Sequence, residues 1–220
     1  MSKPVVVRRA VRRLALGLVV GVLCSVFASG ASAARIAAKA NHTCAVVGSG
    51  TVKCWGAGGI GRLGNNQTAD ANSPVTVSGI TDATAVAVGD FHSCAIVGTG
   101  AVKCWGQGPL GTGSTGNSSV PADVAGITTA RSIDAAGAHT CATLADETAR
   151  CWGLNGQGQL GNGTTDVAFA PVAVTSPPGA VSVVAGANFS CALFTGGVAQ
   201  CWGSDGSGQL AAGTGDNSST

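Results

Sequence analysis

Three histidines each stand two residues ahead of a cysteine, in His42-Thr43-Cys44, His92-Ser93-Cys94 and His139-Thr140-Cys141. Ten residues beyond each of those cysteines comes another, in Cys54-Trp55-Gly56, Cys104-Trp105-Gly106 and Cys151-Trp152-Gly153. A fourth unit, Cys191 followed by Cys201-Trp202-Gly203, carries Phe189 where the histidine would stand. Imidazole and thiolate bind zinc, whereas two thiols can join as a disulfide. Spacing separates the two chemistries. Residues i and i+2 of a strand share one face about 7 Å apart, too far for ready chelation of a single ion. A ligand set that accepts phenylalanine is also a poor metal site, so no metal is expected.

Disulfide chemistry requires strands that bring the cysteines together. Each unit reads as a first strand such as Val86–Gly89, then His92–Val97 and Ala101–Gly106, a Gly-rich turn, and a Pro-led segment such as Pro74–Val77. The period-2 alternation is only partial, as in sheets packed on both faces. Cys44 and Cys54 are symmetric about Ser49, which implies a hairpin through Gly48-Ser49-Gly50; the other units centre on Thr99, Asp146 and Gly196. Opposed residues at a non-hydrogen-bonded site have Cα atoms about 4.5 Å apart, within disulfide reach. Four bonds are expected: Cys44–Cys54, Cys94–Cys104, Cys141–Cys151 and Cys191–Cys201. Trp55, Trp105, Trp152 and Trp202 are expected to pack between units. His42, His92 and His139 are expected to hydrogen-bond across a strand or unit contact.

The second cysteines lie 50, 47 and 50 residues apart. From Trp to the next turn leucine is eight residues in three units (Leu63, Leu160, Leu210) but five from Trp105 to Leu110, so one three-residue deletion explains the short interval. Leu63, Leu110 and Leu160 each precede a proline by eleven, and the fourth proline would fall just past Thr220. These observations imply an all-β fold of β-propeller blades, four repeats of about 50 residues in an open or incomplete propeller. The repeats run 36–85, 86–132, 133–182 and 183–220, the last truncated. Such a chain reads as a partial product of a longer propeller; a closed four-bladed ring is the alternative.

Residues 1–33 read as a signal peptide. Lys3, Arg8, Arg9, Arg12 and Arg13 precede an apolar run from Leu14 to about Ala28, and Ala31-Ser32-Ala33 suits a signal peptidase. The run is shorter than the ~20 residues of a membrane span, which argues against an uncleaved anchor. Cys24 leaves with the leader, and Leu23 before it fits a lipoprotein site poorly. Residues 34–220 then form the repeat domain, with seven basic and ten acidic side chains, net −3. That balance lacks the basic footprint of a nucleic-acid binder. Export supplies the oxidising compartment that disulfides need, and no membrane association is expected after leader removal.

HTCAVV (His42–Val47), VKCWG (Val52–Gly56), GRLGN (Gly61–Asn65) and PVTV (Pro74–Val77), with the closer copy HTCATL and ARCWGLNGQGQLGNGTTDVAFAPVAV (Ala149–Val174), resemble the repeat of the regulator of chromosome condensation family. The resemblance runs from Ile36 to the end. It implies a β-propeller, usually of about seven blades. The family's nuclear founder is an exchange factor for a small GTPase and binds chromatin, through loops to which no residue here corresponds. A secreted bacterial branch includes a propeller that inhibits β-lactamases by binding them.

Catalysis needs an asymmetric cluster, and the polar residues here recur in register. No GxSxG, HExxH or phosphate loop is present. Asp166, Asp205 and Asp216 lie in Gly/Asn-rich turns that could hold calcium, but without EF-hand spacing. Asn66, Asn162 and Asn217 open Asn-x-Ser/Thr triplets of the kind such loops contain by chance. The expected function is a secreted, non-catalytic scaffold without cofactor that binds a protein or glycan or mediates adhesion. Alternatives are a secreted propeller hydrolase and a protein inhibitor of an enzyme. Phe169 is the one loop aromatic that could serve as a hot spot. Exposed blade faces would also permit self-association.

Overall fold

Short runs of valine, alanine and threonine between glycine turns close into four antiparallel meanders. The computed structural model describes residues 34–176 and 178–220. The leader read at 1–33, with Cys24, lies outside the described residues. Blade 1 comprises β1 (Ile36–Lys39), β2 (His42–Val47), β3 (Thr51–Gly56) and β4 (Ala71–Thr76). Blade 2 comprises β5 (Ala83–Val88), β6 (His92–Val97), β7 (Ala101–Gly106) and β8 (Ser118–Asp123). Blade 3 is built from β9 (Ala130–Ala136), β10 (His139–Leu144), β11 (Ala149–Gly153) and β12 (Ala168–Ala173), and blade 4 from β13 (Ala180–Ala185), β14 (Phe189–Phe194) and β15 (Ala199–Gly203). Among the described residues the only helix is a 3-10 turn at Gly59–Gly61, and no helix is long and apolar enough to cross a membrane.

Boundaries expected at 85/86, 132/133 and 182/183 fall inside β5, β9 and β13, because each inner strand starts three residues sooner. The preceding hairpin loop captures that start: the Ala83 and Ala130 amides donate to the Gly50 and Gly100 carbonyls at 2.9 Å, and the Ala180 amide to Glu147 at 2.8 Å. The outer strands likewise begin before Pro74, Pro121 and Pro171. Proline is tolerated there because an edge strand has no further partner for the missing amide. In blade 4, Ser218 forms an isolated bridge to Gly203, where Ala71, Ser118 and Ala168 pair with Gly56, Gly106 and Gly153. Outer-strand pairing in blade 4 thus begins at Ser218.

The core is three cores, one between each pair of neighbouring blades. Val46, Val52 and Leu63 of blade 1 meet Val86, Val88 and Trp105 of blade 2. Ile96, Val102 and Leu110 meet Ile133, Leu144 and Trp152. Leu160 and Val174 meet Val183, Phe194 and Trp202. Burial along the second strand reports how many faces are covered. β6 and β10 are buried throughout, whereas β2 alternates buried with half-buried residues and β14 alternates with the opposite phase. Blades 2 and 3 are therefore sandwiched, and blades 1 and 4 each present one uncovered face. The propeller is an open arc.

Each hairpin sets its cysteines opposite one another, Cys44 to Cys54, Cys94 to Cys104, Cys141 to Cys151 and Cys191 to Cys201. Their Cα atoms lie 4.0–4.1 Å apart and S–S distances are 2.04–2.10 Å. The first three pairs are fully buried against the following blade, while Cys191 and Cys201 are half-buried on the uncovered face. Replacing Cys94 and Cys104 together by alanine is expected to cost about 2–4 kcal/mol. The same change at Cys191 and Cys201 should cost less, because less packing is lost; urea midpoints of the two variants check the order.

Candidate functional site

The recurring polar residues converge on one feature, the seat by which each blade holds the next. His42 lies opposite Gly56 at the end of the blade 1 hairpin, and its Nε2 is 2.8 Å from Ser93 Oγ of blade 2. Ser93 Oγ donates onward to the Arg62 carbonyl at 3.1 Å, and the Trp105 indole N–H donates to that same carbonyl at 2.9 Å. Since the serine proton is committed to Arg62, its oxygen accepts from the histidine, which places the imidazole proton on Nε2. Between blades 3 and 4 the set repeats: His139 to Ser190 at 2.9 Å, with Ser190 and Trp202 both donating to the Gln159 carbonyl at 2.9 Å.

The indole rests on the turn glycine of the preceding blade. At Gly64, Gly111 and Gly161, whose φ values are +68°, +83° and +64°, a Cβ would meet the rings of Trp105, Trp152 and Trp202 at 2.7, 2.8 and 2.6 Å. Glycine supplies both the left-handed backbone and the space.

Between blades 2 and 3 the seat is incomplete. His92 Nε2 is 2.7 Å from Thr140 Oγ1, yet the Trp152 N–H is buried without a partner. The shortened turn, from Trp105 to Leu110, is the local difference from the two complete seats, and no turn carbonyl there serves as the shared acceptor.

Burial holds the histidines neutral. Desolvation, with the Arg62 charge and His92 adding to it, brings His42 down to about 4. Desolvation and Lys39 bring His92 to about 4, and desolvation with His92 and Lys39 brings His139 to about 3. Lys39 lies at the hub, where its ammonium donates to the Ala135 and Ala185 carbonyls, both at 2.9 Å. Beside it the Ala185 amide donates to Asp134 Oδ2 at 2.8 Å. Blades 1, 3 and 4 are joined by these contacts.

The seat hydroxyls and the Lys39–Asp134 hub escape sequence reasoning. A signal for the former exists, because Thr43, Ser93, Thr140 and Ser190 recur immediately before the first cysteine of each unit. Asp205 is fully buried in place of Asn155; its Oδ1 accepts from the Leu210 amide at 2.7 Å and its Oδ2 has no partner. Among the described residues no three His, Cys, Asp or Glu side chains gather as a metal cluster, and Asp166 and Asp216 remain exposed in their turns. Phe169 is half-buried on β12 rather than displayed from a loop. Beside Trp55 runs an open groove of about 510 Å³, with Lys39, His42 and Thr43 among its lining residues.

The sequence profile of the regulator of chromosome condensation (RCC1) repeat matches residues 49–96 and 151–193, and a second profile of that description matches 33–59, 83–111 and 180–209. The chain belongs to the RCC1 repeat family. Similar solved structures include yeast RCC1 (Prp20) bound to Kap60, 22% identical, with TM-score 0.70 over 84% of this chain and 47% of that one. Prp20p from Saccharomyces cerevisiae is 22% identical, with TM-score 0.73 over 84% and 48%. Human WBSCR16 is 20% identical, with TM-score 0.71 over 84% and 50%. At these identities the likeness is one of fold, and this chain spans about half the length of each. No curated protein sequence matches it.

Two outcomes follow from the RCC1 seats. Because the folded histidines titrate below 6.5, the unfolded chain binds more protons between that value and about 3–4, so stability is full above pH 6.5 and falls as the pH drops through this window. Each histidine accounts for a loss on the order of 3–5 kcal/mol across the whole window, the largest at His139, and His139→Gln should flatten the slope of urea midpoint against pH. Trp152→Phe should cost about 1 kcal/mol less than Trp105→Phe or Trp202→Phe, since only the latter two break an indole hydrogen bond; midpoint shifts of the three variants decide.

Proposed function

We propose that the chain acts outside the cytoplasm as a non-catalytic propeller scaffold that binds another protein. The observation that carries this reading is the internal use of its reactive-looking groups: His42, His92 and His139, their Ser and Thr partners and Trp105, Trp152 and Trp202 are spent on blade-to-blade seats. Cysteine pairs at bonding distance in all four blades suit an oxidising compartment. The similar yeast RCC1 was solved with Kap60 bound, and Prp20p is described with binding properties to Gsp1p and histones. Those partners belong to that protein; the shared element is a propeller that offers its surface to other proteins.

Exposed features among the described residues include the uncovered faces of blades 1 and 4, the outer strands β4, β8 and β12, and the Gly/Asn-rich turns. Expression of the whole chain in a secreting host is expected to yield exported protein beginning at Ala34, with all eight blade cysteines oxidised by mass spectrometry. It should also be inert towards panels of glycan and peptide substrates. Cytosolic retention with free thiols would remove the compartment, and turnover of any of those substrates the non-catalytic reading.

A further inference from the structure

Blades 2, 3 and 4 each bring a hydroxyl and an indole to the blade before them, as cross-strand neighbours: Ser93 with Trp105, Thr140 with Trp152 and Ser190 with Trp202. All six are completely buried. Blade 1 carries the same pair in the same register, Thr43 opposite Trp55, and both are only half-buried beside the 510 Å³ groove. Its outer face is thus a finished docking face without an occupant among the described residues.

Blade 4 departs from the complementary half of the code at two separate positions. Ala211 stands where Gly64, Gly111 and Gly161 stand in the other turns, one residue past the turn leucine, and it keeps their left-handed backbone with φ 55°. A Cβ at the three glycines would lie 2.6–2.8 Å from the incoming indole, closer than packed atoms approach; Ala211 carries that atom. Phe189 replaces the histidine, its ring against Gly186 as the His92 ring lies against Gly89, but it offers no N–H to an arriving hydroxyl. Val184 and Leu193 remain 55% and 43% exposed on blade 4. The face keeps apolar surface and loses the seat's shape and donor.

We propose that the face bearing Trp55 and Thr43 docks a repeat blade supplied by another polypeptide, one that carries an intact seat of histidine and Leu-Gly turn, and that blade 4 denies this seat to a second copy of the chain. Shape complementarity names the occupant: the same hydroxyl and indole pair is covered three times here, each time by a blade with histidine and a Leu-Gly turn. Ala211 and Phe189 leave blade 4, the last blade among the described residues, without that seat.

The test uses the whole mature chain and a seat donor made from it, Phe189→His with Ala211→Gly and Trp55→Ala, which restores the seat and disables its own docking face. Sedimentation and native mass spectrometry should find each protein monomeric alone and a 1:1 complex on mixing, lost when the wild-type member carries Trp55→Ala. Ala211→Gly alone relieves a left-handed alanine, so its folding is secure; it should introduce Trp55-dependent self-association at concentrations where wild type stays monomeric, at least about tenfold below any at which wild type pairs. Wild-type chains that already pair through Trp55 would overturn the refusal by blade 4. Folded, oxidised partners that stay apart, together with no gain from Ala211→Gly, would overturn the docking face.

Discussion

An indole lying on a glycine turn is the contact from which the rest of this arc follows. Burying a tryptophan removes roughly 150–250 Å² from water, on the order of 4–6 kcal/mol as an upper bound. One hydrogen bond contributes about 1 kcal/mol net. Packing therefore supplies most of the attraction between blades, and the polar set fixes its direction. A buried ring gains from an acceptor for its N–H, and the Arg62 and Gln159 carbonyls provide one to Trp105 and Trp202. The same oxygen takes the serine proton, the serine oxygen takes the histidine proton, and the imidazole is held neutral. In these two seats the indole, the serine and the histidine Nε2 form one chain of hydrogen bonds, which the seat between blades 2 and 3 lacks at Trp152.

That dependence explains why the blades tolerate so thin a core. The chain holds 35 glycines and few large apolar side chains, so its unfolded state is unusually free and its cores lie between blades rather than within them. A cross-link in each hairpin restricts that freedom. In the first three blades the sulfur pair also faces the next blade and joins its core. Covalent and packing contributions thus meet on one face.

The repeat spends its histidines, three of its four seat hydroxyls and three of its four indoles on contacts between blades. What the repeat leaves uncovered is the turns, the outer strands and one face at each end of the arc. The two ends are unequal, one with a complete hydroxyl–indole pair and the other with Phe189 and Ala211 where a seat would be. The arc accordingly has a direction, which its nearly uniform repeats would not suggest.

What could be read from the sequence was whatever is local or strictly periodic. The ten-residue symmetry about Ser49 specifies which cysteines oppose, because pairing in a hairpin follows from counting. The recurrence of Cys-Trp-Gly reveals the blades, and the missing three residues before Leu110 are visible in the spacing. Other features depended on neighbours distant in the chain. The start of β5 at Ala83 comes from a hydrogen bond to Gly50, and the hub from Lys39 reaching Ala135 and Ala185. Likewise the deletion leaves Trp152 without an acceptor only because another blade's turn lies across it. Periodicity in a sequence encodes each blade, whereas the seat hydrogen bonds between blades join residues 31 or more positions apart, as in Ser93 to Arg62, and exist only once the sheets are stacked.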